Sequence, residues 1–216
     1  MQGIPLNERK RLGALLDDRP QTEVMAMIPQ FSQAETDNFV APPAQIPEAL
    51  GVLMFNMERG VNLPEIQEFL RDCPDIQPFD VILANELDDG CARSGNKNTA
   101  RELAQAFGLN YAWGLEFIEL VNDENAKGFH GNAVFSRWPI RRAGVIRLPE
   151  QYNWYFDRQK RIGGRLAVFA ELDVGGQPVG AVSIHLENRT HGAGRKAQMA
   201  AILEAVRKEL PDMPLI

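Results

Sequence analysis

The stretch from Asp80 to Arg93, with the sequence DVILANELDDGCAR, places acidic side chains directly after a run of apolar residues. The apolar or small residues at 81–84 are typical of a fully buried strand. Glu86 follows them closely, and open α/β sheets bind their ligands beyond the carboxyl ends of such strands. We therefore expect a carboxylate that the buried strand holds in place while its oxygen atoms stay accessible. Taken alone, this stretch is equally consistent with Glu86 simply beginning a polar loop.

Two other predicted strands carry a polar residue that could take part in chemistry. Asn56 closes the apolar run GVLMFN at 51–56, and His185 lies in the later stretch VSIHLEN. A single histidine in a strand is more often a structural residue than a catalyst. Asn56, Glu86 and His185 therefore indicate a functional site only as a group.

The first part of the chain alternates between strands and helices. After the strand at 51–56, Asn62 is the predicted N-cap of a helix that has proline in its first turn. After the strand at 80–84, the sequence TARE at 99–102 has the pattern of a capping box for a second helix, which Gly108 ends. This alternation predicts parallel neighbouring strands joined by right-handed crossovers.

The later part of the chain predicts further strands and one long helix. Strands are predicted at 111–120, 133–136, 165–172 and 179–187, a loop at 122–131, and a helix at 195–210. The glycine-rich sequence DVGGQP predicts that the last two strands form an antiparallel hairpin. The apolar pair Leu215 and Ile216, which follows Pro214, is typical of the beginning of a buried strand.

The residues before position 49 show no recognisable chemistry. A short helix is predicted at 7–16. The sequence APPAQIP at 41–47 reads as an extended linker, because its prolines fit neither a helix nor a central strand. We therefore divide the chain into an N-terminal segment and linker, residues 1–48, and a domain, residues 49–216.

The composition is that of an ordinary globular protein, with 44% hydrophobic and 24% charged residues among 216. No apolar run is long enough to span a membrane, and the charged N-terminus lacks the pattern of a secretory signal. Cys73 and Cys91 are too few for a disulfide framework and lack the spacing of metal ligands, which suits a reducing compartment. These features predict a cytoplasmic protein.

The charge is distributed unevenly along the chain. The formal net charge of −6 disfavours a non-specific nucleic-acid binder, but the segment 137–165 holds eight Lys or Arg residues and two acidic ones. Such a run is usually a solvated face, and it could also form a wall that faces phosphate and attracts anionic substrates. Aromatic residues in or near this segment could stack on bases or simply cover a sheet: Trp138, Tyr152, Trp154, Tyr155 and Phe156.

The order of these motifs resembles that of the endonuclease/exonuclease/phosphatase superfamily of metal-dependent phosphodiesterases, which includes DNase I-like nucleases, neutral sphingomyelinases and inositol-phosphate phosphatases. The matching stretches cover most of residues 50–200: VLMFNMERG, DVILANELD with the downstream Arg93, EFIEL, GNAVFSRWPI, GGRLAVFAEL and VSIHLENRTHGAGRKAQM. No single stretch is decisive, but six occur in the order of the family. The resemblance implies an α+β fold, a four-layer α/β/β/α sandwich of the DNase I-like type, with a site at one rim of the two sheets.

The resemblance also implies a role for each polar residue of the group. Glu86 would bind Mg²⁺ or Mn²⁺, Asn56 would help to organise the phosphate and the metal, and His185 would contact the scissile phosphate. Mg²⁺ prefers oxygen ligands and keeps several waters, so one protein carboxylate can suffice. Arg93 and Asn132 are further candidates for substrate binding, although a loop-stabilising role is at least equally consistent for both.

The sequence departs from the family pattern after its last predicted helix. The family has a Gly-Asp-x-Asn motif there and a later Ser-Asp-His motif, and this sequence contains neither. We therefore expect a domain that lacks its C-terminal strands, and a 216-residue chain that is catalytically inert and poorly stable. In an intact gene, the two motifs would follow Ile216.

The leading hypothesis is a metal-dependent hydrolase of phosphate esters, of the phosphodiesterase or nuclease type. Its substrate could be a nucleic acid, a lipid headgroup or a sugar phosphate, and no protein partner is predicted. The alternative is a degenerate family member that acts as a non-catalytic interaction module, which would have no use for Asn56, Glu86 and His185 together. A zinc site of His185 and His191 is disfavoured, because the pair does not share a helix face and no nearby cysteine completes it.

Overall fold

The chain forms nine strands and five α-helices, described for all of residues 1–216 in a computed structural model. The strands are β1 (Ala34–Asp37), β2 (Val52–Arg59), β3 (Val81–Asp89), β4 (Asn110–Glu119), β5 (Phe129–Ser136), β6 (Ile140–Arg147), β7 (Arg161–Gly163), β8 (Leu166–Val174) and β9 (Gln177–Ile184). The α-helices are α1 (Leu6–Ala14), α2 (Gln21–Ala26), α3 (Leu63–Asp72), α4 (Thr99–Phe107) and α5 (Gly192–Glu209). Short 3₁₀ helices cover Leu15–Asp17, Pro29–Ser32, Pro74–Ile76, Ala92–Ser94 and Trp154–Phe156.

The strands form two sheets that pack face to face. The first sheet has the order β1-β4-β5-β3-β2, with β7 also paired to β4, and the second has the order β6-β8-β9. The β2–β3 pair is parallel, as the alternation of strands and helices predicts, and the other pairs are antiparallel. Residues of α1 to α4 pack on the first sheet and residues of α5 pack on the second. The four-layer α/β/β/α sandwich implied by the resemblance is therefore confirmed.

Apolar side chains from both sheets fill the space between them. Val134 on β5 packs in one cluster with Val168 and Leu172 on β8. Gly114 on β4 marks a close approach of the sheets, since a Cβ atom there would lie 2.6 Å from Cγ1 of Val145. Facing sheets whose inner side chains interdigitate in this way form a single continuous core.

The strand predicted at 80–84 is longer in the structure, where β3 continues to Asp89. The prediction of a loop after residue 84 is wrong because Asp88 and Asp89 are buried and bonded to other parts of the sandwich. The loop predicted at 122–131 is shorter for a similar reason, since β5 already begins at Phe129.

Strand β6 has no counterpart among the predicted elements. Its consecutive arginines, Arg141 and Arg142, break the apolar alternation that would indicate a strand. Both are exposed at the edge of the second sheet, where Arg141 pairs with Asp173 at 3.0 Å and Arg142 with Glu171 at 2.8 Å. Part of the basic segment at 137–165 is therefore a solvated face.

The start of α4 differs from the predicted capping box. Asn98 is the N-cap, and its Oδ1 accepts a hydrogen bond from the Arg101 N–H at 2.9 Å. The Thr99 hydroxyl instead donates to the Asp88 carbonyl at 2.8 Å and so ties the helix to β3. Gly108 ends the helix with φ of +59°, as predicted.

Much of the N-terminal segment contributes to the sandwich. Ile4, Leu12 and Leu16 are buried in the same cluster as the first sheet, and β1 pairs with β4. Residues 38–51, which include the predicted extended linker, contain no helix or strand. Part of segment 1–48 thus shares the core of the domain predicted at 49–216.

The last residues of the chain contact β9. Leu215 forms one parallel bridge with Gly180, and the Ile216 N–H donates to the Gly180 carbonyl at 2.8 Å. The predicted buried strand is thus represented by a single bridge, and Leu215 itself is exposed. None of the helices in the chain is both long enough and apolar enough to cross a membrane.

Candidate active site

Glu86 projects from an irregular point of the first sheet. The register between β2 and β3 shifts between Asn56 and Arg59, and the register between β3 and β5 shifts between Ala84 and Leu87. Glu86 itself has φ of +60°, a left-handed conformation that is uncommon outside glycine. Bulges of this kind change the direction in which a side chain points. This one brings Glu86 to Asn56, whose Nδ2 donates to Glu86 Oε1 at 3.2 Å.

Asn132 on β5 holds the backbone of this bulge. Its Oδ1 accepts a hydrogen bond from the Glu86 N–H at 3.1 Å, and its side chain is fully buried. A residue with a strained backbone conformation persists only where several surrounding contacts hold it in place. The structure therefore places Asn132 behind Glu86, with no exposed atom for the predicted contact with substrate.

His185 reaches Glu86 from the second sheet, one residue after β9 ends. Two hydrogen bonds join the sheets at this level, since Ser183 Oγ donates to the Ala84 carbonyl at 3.0 Å and Asn85 Nδ2 donates to the Ile184 carbonyl at 3.1 Å. His185 Nε2 lies 3.8 Å from Glu86 Oε1. The structure thus brings Asn56, Glu86 and His185 together at one rim, although they come from distant parts of the sequence.

Glu116 is a buried carboxylate behind His185 that sequence reasoning missed. It lies at a register shift between Leu115 and Phe117 on β4. Its Oε1 is 3.2 Å from Arg165 Nη1, and its Oε2 is 3.6 Å from His185 Nδ1. Burial raises the pKa of Glu116, but the charge of Arg165 and the adjacent imidazole groups outweigh it, so the net shift is downward.

Arg165 contacts the imidazole ring of His185. Arg165 Nη1 lies 3.0 Å from His185 Nδ1 and 3.5 Å from His185 Nε2, so the guanidinium faces both ring nitrogens. Nε2 is the ring nitrogen on the side of Glu86.

A second histidine, His130, is buried between two carboxylates. Its Nδ1 lies 2.8 Å from Asp88 Oδ1, and its Nε2 lies 3.7 Å from Glu116 Oε2. Burial opposes ionisation of Asp88, but hydrogen bonds from Arg93 and His130 outweigh that effect and lower its pKa to about 2. The carboxylates behind the site are therefore held ionised by the groups they contact.

Arg93 belongs to this buried network. Its Nε and Nη2 donate to both oxygens of Asp88 at 2.7 and 2.8 Å, and its Nη1 lies 3.0 Å from Glu119. Glu119 also pairs with Arg161 at 3.0 Å. The guanidinium of Arg93 is thus occupied by two carboxylates, and Arg93 does not line the pocket that contains Glu86.

Glu86, His130 and Arg165 border a small polar pocket of about 180 Å³. Its lining comprises Arg59, Glu86, His130, Trp154, Arg161, Arg165, Asn188 and Arg189. Carboxylates stand behind two of its arginines, since Arg165 also lies 3.4 Å from Glu187 and Arg161 is held by Glu119. Two arginines of the basic segment at 137–165, Arg161 and Arg165, therefore line this pocket.

The aromatic residues near the basic segment have mixed positions. Trp138 and Tyr155 are buried, and Phe156 is exposed. Trp154 lines the pocket, but its indole N–H donates to Glu187 at 2.8 Å and its ring packs edge-on against Phe117. The structure shows these rings mainly as packing elements.

Sequence patterns contained weak signals for the residues that were missed. Glu116 interrupts a strand in which every residue is buried, and His130 directly precedes the family stretch GNAVFSRWPI at 131–140. A charged residue inside such a strand is a signal in itself, because it must be paired. The partner of Glu116 could not be read from the sequence, since Arg165 comes 49 positions later.

The residues around Glu86 fit a metal site with one carboxylate ligand, not one built from several. No group of three or more His, Cys, Asp or Glu side chains is arranged to hold a metal ion. The Glu86 side chain is 24% exposed and faces the pocket. Mg²⁺ usually binds through one or two carboxylates together with substrate phosphates and several waters. The donor set at Glu86 therefore fits a hydrated divalent cation of that kind.

Comparison with solved structures shows that the chain has the fold of the endonuclease/exonuclease/phosphatase proteins. One such protein, from Beutenbergia cavernae DSM 12333, has a TM-score of 0.53 and 21% identity, covering 71% of this chain and 43% of that one. The human Nocturnin catalytic domain, solved with a bound sulfate anion, has a TM-score of 0.51 and 19% identity, covering 87% of this chain and 66% of that one. A third, from Bacteroides vulgatus, has a TM-score of 0.50 and 15% identity, covering 76% and 62%.

The predicted resemblance is thereby confirmed at the level of the fold. No protein-family model matches the sequence, and no curated protein matches it either. The chain spans between 43% and 66% of the length of the three solved structures.

Proposed function

We propose that the protein is a divalent-metal-dependent hydrolase of phosphate esters, of the phosphodiesterase or nuclease type. The observation that carries this proposal is the convergence of Asn56 and His185 on Glu86, which lines a pocket together with four arginines. A carboxylate, an amide and an imidazole beside a cationic pocket can bind a phosphate and stabilise the charge that develops during its hydrolysis. An interaction module would have no use for this arrangement.

The arginines would bind the phosphate of the substrate. The buried Nε of Arg59 has no hydrogen-bond partner, which suits a donor that awaits an anion. Arg161 and Arg165 are held from behind by carboxylates, so they need no reorientation when a phosphate arrives. Preorganised donors of this kind stabilise a transition state without a reorganisation cost.

The three converging residues would act on the scissile group itself. His185 would contact a non-bridging oxygen of the phosphate through Nε2, the ring nitrogen nearer Glu86, and Asn56 would keep the Glu86 carboxylate in place through its hydrogen bond. Glu86 would hold Mg²⁺ or Mn²⁺, which when bound supplies Lewis-acid stabilisation of charge on the phosphoryl oxygens. Asn132 would act as a positioning residue that fixes the left-handed backbone of Glu86.

The substrate could be a nucleic acid, a lipid headgroup or a sugar phosphate, all of which present the phosphate that this pocket fits. A cytoplasmic location stays a prediction. The inactivity expected of the 216-residue chain also stays a prediction. Assays with bis(p-nitrophenyl) phosphate and p-nitrophenyl phosphate, with and without Mg²⁺, would test turnover by the chain and separate diesterase from monoesterase activity.

Binding of Mn²⁺ tests the metal site whether or not the chain turns over a substrate. We expect Glu86→Gln to weaken Mn²⁺ binding, measured by electron paramagnetic resonance, by about tenfold or more, because the change keeps the shape and removes the anionic ligand. The matched control is Glu65→Gln, at an exposed position on α3. Equal Mn²⁺ affinity in Glu86→Gln and the wild-type protein would remove Glu86 from the metal site.

A further inference from the structure

A second and larger pocket lies between the N-terminal helices and β6. Its volume is about 750 Å³, within the range typical of sites for small molecules. Apolar side chains form most of its wall, including Met25, Ile28, Phe31, Val145 and Leu148. The pocket is therefore suited to an apolar ligand body.

Arg147 gives this apolar pocket a cationic group that forms no ion pair with a carboxylate. Its Nε donates to the Phe31 carbonyl at 2.8 Å, its Nη1 to the Gly164 carbonyl at 3.2 Å, and its Nη2 to the Leu115 carbonyl. The guanidinium also lies over the Phe31 ring, 4.8 Å from its centre. Carbonyl oxygens satisfy N–H groups, but they carry no net charge.

The surroundings of Arg147 favour an anionic neighbour. No carboxylate oxygen lies within 4.0 Å of the guanidinium. Burial lowers the pKa of Arg147 below its ordinary value, and the more distant charge of Glu116 offsets only part of that shift. A desolvated charge without a counterion is costly, and an ion that pairs with it recovers part of that cost. A guanidinium has five N–H donors, so hydrogen bonds to three carbonyls leave donors for a ligand.

We propose that this pocket binds an amphipathic anion, a ligand with one carboxylate head that pairs with Arg147 and an apolar chain that lies against the surrounding side chains. Arg165 lines this pocket as well as the pocket that contains Glu86. The ligand would therefore lie one side chain away from Glu116 and His185. The proposal itself concerns binding and does not depend on the proposed hydrolase activity.

A pair of probes that differ only in the head group tests this inference. Decanoate and decanol have the same chain, and only decanoate carries a negative charge at neutral pH. We expect titration calorimetry to show that decanoate binds about tenfold more tightly than decanol, the size of effect expected for a partly buried, charge-assisted contact. In Arg147→Met the preference should disappear, whereas Arg141→Met, on the same strand and outside the pocket, should keep it.

A second variant covers the case in which Arg147→Met fails to fold. Ala26 lines the pocket, and Met27 is its exposed neighbour outside it. Ala26→Trp should fill the pocket and lower decanoate affinity by about tenfold or more, and Met27→Trp should leave it unchanged. Equal binding of decanoate and decanol to the wild-type protein, or decanoate binding that survives Ala26→Trp unchanged, would overturn the proposal.

Discussion

Arg147 ends β6 and Arg165 directly precedes its partner strand β8, yet the surroundings of the two arginines differ in kind. Arg165 is paired with two carboxylates, Glu116 at 3.2 Å and Glu187 at 3.4 Å. Arg147 is surrounded by carbonyl oxygens and has no acidic partner. Both arginines are thus fixed in position, but only Arg165 forms ion pairs within the protein.

This difference indicates how the arginine in each pocket would interact with an anionic ligand. An arginine that is already paired offers its remaining donors in a fixed direction, which suits an active site that must be prepared before substrate arrives. An arginine that lacks a counterion gains from any anion that reaches it. The pocket beside Arg165 is therefore organised for chemistry, and the pocket beside Arg147 for binding.

Backbone strain also distinguishes the two regions. Three of the five non-glycine residues with positive φ lie beside the candidate active site, namely Glu58, Arg59 and Glu86. None of the five lines the apolar pocket. Strained residues persist where hydrogen bonds hold them, as Asn132 holds Glu86, and they are frequent at functional sites.

Replacing each arginine with methionine should give the largest difference between the two environments, measured as the loss in free energy of unfolding. Arg165→Met leaves Glu116 and Glu187 buried without a cation, and we expect it to lower the free energy of unfolding by about 3 to 5 kcal/mol. Arg147→Met leaves only neutral carbonyls unpaired, and we expect a smaller loss of about 1 to 3 kcal/mol. Urea denaturation monitored by circular dichroism would measure both.

Arg141→Met is the control for this comparison, because Arg141 lies on the exposed edge of the second sheet. Its exposed ion pair should contribute at most about 1 kcal/mol. A loss in Arg147→Met as large as that in Arg165→Met would show that the charge environments of the two arginines do not differ in the way we infer.

The pH dependence of stability should report on the buried pair of Arg165 and Glu116. The folded-state pKa of Glu116 is shifted below its ordinary value of 4.5. The ionised carboxylate therefore stabilises the fold above about pH 4.5, and this contribution is lost as the pH falls below that value. In Glu116→Gln, the decrease in unfolding free energy between about pH 5 and pH 3 should be smaller than in the wild-type protein.

The control for the pH experiment is Glu102→Gln. Glu102 lies on α4, and its carboxylate pairs with Lys97 in the turn that precedes the helix. Its pH profile should follow that of the wild-type protein. An unchanged slope in Glu116→Gln would mean that Glu116 is not held ionised by Arg165 and the neighbouring imidazoles.

The sequence predicted Asn56, Glu86 and His185, although only His185 lies at the end of a strand in the structure. Asn56 and His185 follow apolar runs, so periodicity and the family resemblance located them. The left-handed backbone of Glu86 and the continuation of β3 to Asp89 were not predicted, because a bulge changes the alternation on which strand prediction depends. Glu116 lies at a bulge for the same reason.

The contacts that side chains make with distant segments could not be predicted from the sequence for a second reason, which is that no local pattern specifies them. Arg147, for example, contacts carbonyls from the 3₁₀ helix at 29–32, from β4 and from the turn before β8. Nothing local in the sequence distinguishes it from Arg141 or Arg142 on the same strand. Whether an arginine ends in a solvated face, a paired network or an apolar pocket is decided by packing between distant segments.

The smallest expected effect concerns the one acidic residue in the lining of the apolar pocket, Glu150. Burial raises the pKa of Glu150 and a hydrogen bond with Gln21 partly offsets the shift, but the side chain is largely exposed and its charge well solvated. That charge should repel an anionic ligand weakly. Glu150→Gln should therefore tighten decanoate binding by about twofold, as expected for a screened surface charge, and added salt should diminish the gain.

Glu23→Gln is the matched control, because Glu23 is exposed on α2 and does not line the pocket. Decanol should bind Glu150→Gln and the wild-type protein equally, since its neutral head does not respond to the removed charge. If Glu150→Gln tightened decanol binding as much as decanoate binding, the effect would come from the apolar wall and not from charge. That result would show that the head group of the ligand does not lie near the charged side chains of this pocket, and it would therefore contradict the pairing of the carboxylate with Arg147.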